Sequence, residues 1–139
     1  MASTLHSSFE RSLRSTANPA DHHRAYRLLY TTFVLLPIVV GFDKFFNAFT
    51  DWPKYVAPAF ANILPFGAAT FMLLVGVVEI AAGTLVALRS RLGGYVVAGW
   101  LGVVALNLVL AGYFDIALRD LGLMIGALAL ARLSPRRLL

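Results

Sequence analysis

Glu79 is the residue of this sequence most clearly placed to do chemistry. It is the single charge in the 23-residue run Phe66 to Leu88, thirteen positions in and nine from the end. About 20 apolar residues at ~1.5 Å each span the ~30 Å hydrocarbon core of a bilayer, so the run is long enough to cross and its carboxyl falls near the midplane. A charge there costs roughly 2.5–3.5 kcal/mol on insertion scales, so the group is expected to face protein or water. Gly76, Glu79 and Gly83 share one helical face, and the glycines let another helix approach closely. Two roles fit such a carboxyl: a proton or head-group ligand, and an interhelical hydrogen-bond staple.

The other candidate site residues are Asp43, Lys44, Asn107, Asp115, Arg119 and Asp120, which fall near the ends of apolar segments. Arg119, Gly122, Gly126 and Ala129 recur at helical spacing, so the arginine is expected on a face that packs against a neighbour. Asp115 lies four residues before Arg119 and can pair with it along the helix, and Asp43 is a second candidate partner. Charges in the first turn of a membrane helix also snorkel to the interface, and Asn107 reads as a hydrogen-bonding staple.

Composition sets the medium. Hydrophobic residues make up 59% of the 139 residues and charged ones 14%, with a mean hydropathy of +0.75. A soluble domain of this size could not hide that balance in its core, so the expected partner is the lipid bilayer. The net charge of +5 comes from cations clustered at segment ends, where they set topology and touch headgroups, so nucleic-acid binding is not expected. The absence of cysteine excludes a disulfide, an iron–sulfur cluster or a dithiol relay carried by this chain. His6, His22 and His23 all precede the first apolar segment, so no imidazole pair is available inside the membrane to clamp a haem. No metal site and no intrinsic cofactor are expected.

The elements that must position these residues follow from hydropathy and breakers. Residues 1–25 form a polar N-terminal tail without the apolar core of a signal peptide; its Ser, Thr and Arg content faintly resembles an organellar transit peptide. Leu5, Phe9 and Leu13 at i, i+4 and i+8 would suit a short surface helix with Arg11 and Arg14 toward headgroups, and an unstructured tail fits equally. Asn18-Pro19 breaks the chain and Asp21 is an expected N-cap. A first span is expected over 26–47, kinked at Pro37 and ending in a collar of phenylalanines around Asp43 and Lys44. The linker 50–65 holds Pro53, Pro58 and Pro65 with Trp52, Tyr55 and Phe60, and reads as a broken interfacial segment that is either an anchor or a lid. Further spans are expected over 66–88, 93–113 and 116–133, followed by a basic tail at 134–139. The third carries small residues at 94, 98 and 102 for close packing.

The fold expected is therefore all-α: a polytopic membrane four-helix bundle with a broken interfacial segment between helices one and two. Four spans bring both termini to one side. Arg11, Arg14, Arg24, Arg27, Arg89, Arg91, Arg132, Arg136 and Arg137 then share a face, against Lys44, Lys54 and Arg119 on the other. That bias predicts cytoplasmic termini in a cell membrane protein.

Four motifs resemble the DoxX family of small membrane proteins: Gly41-Phe42-Asp43-Lys44-Phe45, Val78-Glu79-Ile80-Ala81-Ala82-Gly83, Arg91-Leu92-Gly93, and the run from Tyr113 to Gly122. The resemblance covers residues 26–133 and implies a four-helix membrane bundle associated with quinone-linked oxidoreductases. By that resemblance Glu79, Asp43, Lys44 and Arg119 would line a pocket for quinone or a small substrate, the carboxylates handling protons and the cations holding an anionic group.

Three functions are compatible with these residues. One is an integral subunit of a larger membrane complex that binds quinone beside a redox partner. A second is an accessory subunit without chemistry, joined to other subunits or to itself through its glycine stripes. The third is a stand-alone proton-coupled carrier of a small solute using Glu79, although four helices show no paired repeat of the kind transporters use.

Overall fold

A computed structural model describes residues 1–15 and 18–136, and among these every regular element is helical. Six α-helices follow one another: α1 (Ala2–Ser15), α2 (Pro19–Phe46), α3 (Pro58–Ala61), α4 (Ala68–Leu88), α5 (Ser90–Ala111) and α6 (Phe114–Leu133). A 3₁₀ turn, Trp52–Tyr55, precedes the single turn of α3. Three helices are long and apolar enough to cross a membrane: α2, α4 and α5. The remaining long helix, α6, carries Asp115, Arg119, Asp120 and Arg132 and so differs in composition.

The ends of these helices show local chemistry at work. Asn18, rather than Asp21, caps α2: its side chain accepts from Ala20 N at 3.0 Å and Pro19 takes the first helical position, where its missing N–H costs nothing. Hydropathy delays the start to 26 because Asp21, His22, His23 and Arg24 are polar, yet they continue the helix seven residues further back. The helix runs unbroken through Pro37 and stops at Asn47, which adopts a left-handed conformation at φ 51°. A single residue, Arg89, separates α4 from α5, so α5 starts at Ser90 and not after a longer turn. Gly112, at φ 87°, ends α5.

Close packing is carried by small residues. A Cβ built on Gly41 of α2 would lie 2.7 Å from the carbonyl oxygen of Gly76 on α4, and one on Gly76 would lie 2.7 Å from that of Gly41. Gly83 abuts Val34 and Ile38 in the same way, so the expected glycine face of α4 is the face that meets α2. On α5, Gly94 meets Ala127 and Ala131 of α6, and Gly102 meets the sulfur of Met124. Gly126 of α6 sits against the ring of Phe33 on α2. The core at this end comprises Phe33, Ala82, Val86, Val97, Ala98, Ala127 and Leu130. The stripe expected on α6 holds only in part: Gly122 has open space around it and Arg119 is exposed, whereas Ala117, Asp120, Ala127, Leu130 and Ala131 form the buried face. That face is rotated from the glycine spacing because alanines, not glycines, make the contact with α5.

The outer surface is apolar. Only 11–33% of each apolar window in α2, α4 and α5 is buried within the chain, and Leu35, Leu74, Val77, Val103, Leu106 and Leu110 point outward. Helices exposing such surface suit hydrocarbon rather than water.

Candidate functional site

Lys44 and Glu79 form the centre of the site. Lys44 Nζ lies 2.6 Å from Glu79 Oε2, with the two side chains 3% and 13% exposed. The Gly41–Gly76 contact explains how they meet. The Cβ of Glu79 packs where Gly41 lacks one, and the Cβ of Lys44 packs where Gly76 lacks one, at 3.1 and 3.2 Å from the missing positions. Each ionic residue therefore sits three places after a glycine and rests on the partner helix's glycine. Because the glycines are opposed on antiparallel helices, Lys44 and Glu79 lie on either side of them, and since helical side chains lean toward the N-terminus the two reach back toward each other, the flexible lysine stem closing the gap.

Around this pair the end of α2 folds back over the site. Asp43, buried, accepts from Trp52 Nε1 at 2.7 Å, from Ala48 N at 3.0 Å and from Phe49 N at 3.2 Å. Three donors satisfy its carboxylate, which makes it a structural clamp on the connection rather than a partner of Arg119. The Trp52 indole held by Asp43 presents its ring to Lys44, whose Nζ lies 3.9 Å from the centroid. A lysine desolvated in this way gains from the negative face of the ring.

Asn107 staples the same connection from α5. Its Nδ2 donates to Tyr55 O at 2.7 Å and its Oδ1 accepts from Ala57 N at 3.0 Å, so both polar ends are used on the 3₁₀ turn and the residue before α3. Tyr113 supports it with an edge-on contact to Tyr55, 4.8 Å between centroids.

From α6, Asp120 is buried and lies within electrostatic reach of both Lys44 and Glu79. Arg119 pairs with this neighbour, Nε to Oδ1 at 3.3 Å, while its own side chain is two-thirds exposed. The expected Asp115–Arg119 pair is not formed, and Asp115 is exposed. Of the candidate residues, Asp43, Lys44, Glu79 and Asp120 thus come together, with Arg119 at the rim and Asn107 holding the cover. Asp115 stands outside.

Two residues of the site went unrecognised in the sequence. Trp52 was legible only as an interfacial aromatic. Trp100 of α5 has a fully buried Nε1 that lies beside the Glu79 carboxylate without closing a hydrogen bond, and it has no other partner. The ring of the same tryptophan lines an open apolar groove of about 410 Å³ between α4 and α5, walled by Val78, Ala81, Leu85, Val96 and Gly99. Trp100 is therefore the boundary between an apolar trough and a charged pair. Among the described residues no group of three or more histidines and carboxylates is placed to hold a metal ion.

Comparison of the chain with protein-family models, curated proteins and solved structures gives no match.

Proposed function

We propose that this chain is an integral membrane subunit of a larger complex, a four-helix bundle with both termini cytoplasmic, and that it holds the polar head of a quinone-type molecule beside Lys44 and Glu79. The observation that carries this reading is the buried Lys44–Glu79 pair next to the unpartnered Trp100 Nε1, at the head of the apolar groove between α4 and α5. A quinone carries carbonyl acceptors on a ring with an apolar tail. Trp100 Nε1 and the remaining Lys44 protons are donors matched to those acceptors, and the groove offers an apolar surface to the tail. Glu79 is a carboxylate able to accept or release a proton at that ring, while the bound quinone would supply the redox chemistry that this chain has no residue to perform. The DoxX-like motifs at Asp43-Lys44 and Glu79 agree with this assignment. The large apolar exterior is available to partner subunits as well as to lipid.

Gentle purification from the native membrane, with mass spectrometry of co-eluting proteins and of extracted lipophilic molecules, tests the proposal. Oxidoreductase subunits and bound quinone are expected with the wild-type chain. Quinone should be lost from Glu79→Gln and Trp100→Phe while the helical content stays unchanged. An unaltered quinone complement in both variants rejects the quinone site, and a monodisperse chain with no co-purifying protein rejects the subunit assignment.

A further inference from the structure

The helix that precedes the first span, α1, takes no part in the proposed quinone site, yet its sequence is built for a surface. It is exposed along residues 1–14, and its large apolar side chains are among the most open in the molecule: Leu5 64%, Phe9 66% and Leu13 57%. These three lie on one stripe, whereas Ser3, Ser7, Arg11 and Arg14 occupy the opposite side. A helix with this division and little overall hydrophobicity is stable beside a boundary between apolar and aqueous media.

The charge of the neighbouring surface identifies that boundary. Tyr26 OH lies 2.9 Å from Ser90 Oγ and Tyr30 OH donates to Ala87 O, so the start of α2 adjoins the α4–α5 junction. Gly94 meets Ala131, which brings the end of α6 to the same level. Arg24, Arg27, Arg89, Arg91, Arg132 and Arg136 are thereby gathered at one end, Arg11 and Arg14 of α1 precede that end in the sequence, and the acids on these segments are Glu10 and Asp21 alone. The opposite end carries Lys44, Lys54 and Arg119 against Asp43, Asp51, Asp115 and Asp120. Such a one-sided cationic end is complementary to an anionic leaflet, and attraction of this kind acts over about 8–10 Å at physiological salt.

We infer that α1 lies along the surface of an anionic phospholipid leaflet, with Leu5, Phe9 and Leu13 inserted at the headgroup–acyl boundary, as a docking device separate from the spanning helices.

The natural chain has no cysteine, so single labels can be placed without altering its background. Phe9→Cys, Ser7→Cys and Val103→Cys chains, each carrying an environment-sensitive fluorophore, would be reconstituted in vesicles of phosphatidylcholine alone and of phosphatidylcholine with phosphatidylglycerol. With the anionic lipid, the label at 9 should shift to the blue and lose quenching by a water-soluble quencher, while the label at 7 stays quenchable. In neutral vesicles, or at high salt, the label at 9 should return to water. A label at 9 that stays quenchable in anionic vesicles overturns the proposal, as does equal shielding in both lipids. Shielding that follows protein-to-lipid ratio instead of lipid charge marks a second copy of this chain as the occupant and overturns it too. The label at 103, on an outward face of α5, separates the two levels of argument: if it is buried in hydrocarbon while 9 is not, only α1 docking fails, and if it is quenchable the membrane assignment itself fails.

Discussion

Lys44 and Glu79 are more informative as a pair than as separate charges. Taking two ions out of water costs several kcal/mol each, and their attraction offsets this only with good geometry, so removing one partner is far worse than removing both. Lys44→Met should therefore destabilise the fold by roughly 3–5 kcal/mol by leaving Glu79 uncompensated, whereas Lys44→Met combined with Glu79→Gln should recover most of that loss. Denaturant titration in detergent micelles checks the ordering, and a double variant no better than the single one contradicts it. The glycines beneath the pair make a second prediction. A methyl group at Gly76 would press on Gly41 O at 2.7 Å and on Lys44 Cβ at 3.2 Å. Gly76→Ala should then cost about 1–3 kcal/mol through overpacking, while Gly122→Ala, inside α6 with open space around it, should raise the midpoint slightly, by about 0.5–1 kcal/mol of helix propensity. The sequence revealed Glu79 as a buried polar residue and its glycine face as a contact, because both are properties of one helix. It did not reveal Lys44 as the partner, since that depends on the antiparallel register of two helices and joins residues 35 positions apart. The Asp115–Arg119 expectation failed for a related reason: spacing alone permits the pair, but the buried Asp120 takes the guanidinium instead.

At the scale of elements, the connection between α2 and α4 is held mainly by side chains. Asp43 ties it from α2 through Ala48, Phe49 and Trp52, and Asn107 ties it from α5 through Tyr55 and Ala57. Leaving buried donors and acceptors unpaired costs about 1–3 kcal/mol each, so Asn107→Ala should loosen this connection without unfolding the long helices. Hydrogen exchange should then accelerate at 52–61 and remain slow in α4 and α5; uniform acceleration would mean that Asn107 supports the whole fold instead. Three prolines and three aromatics predict that the connection is a broken segment, and in the structure it has a 3₁₀ turn at Trp52–Tyr55 and the single turn of α3. Its tethering to Asn107 was not legible, because an amide inside an apolar helix announces a need for partners without naming them. The start of α2 shows the converse, where a local signal outweighs hydropathy: Asn18-Pro19 forms a complete cap, and the polar residues after it simply continue the helix.

For the whole molecule, the decisive question is whether α6 crosses the bilayer beside α2, α4 and α5. Its charges argue against an ordinary span, but their placement does not. Asp115, Arg119 and Asp120 lie in the first two turns and Arg132 in the last, leaving Leu121 to Ala131 uncharged. Asp120 is buried toward Lys44, and the exposed Arg119 has a stem long enough to carry its head toward the interface. At 20 residues, α6 is about 30 Å long, enough to match the hydrocarbon core. It also packs along α5, from Ala131 against Gly94 to Met124 against Gly102, which is the placement a fourth span of the proposed bundle requires. Single cysteines at Ala20, Asn62 and Pro135 settle the count with a membrane-impermeant maleimide, Ala20 being exposed in the first turn of α2 and Asn62 exposed beyond its far end. Four crossings place Ala20→Cys and Pro135→Cys together, labelled only after the membrane is opened, with Asn62→Cys labelled in intact cells. If α6 instead lies outside the bilayer, Pro135→Cys will label with Asn62→Cys. That result would leave Asp120 at a solvent-facing rim and remove it from the buried site, so the topology of one helix decides how many carboxylates the Lys44 ammonium must balance.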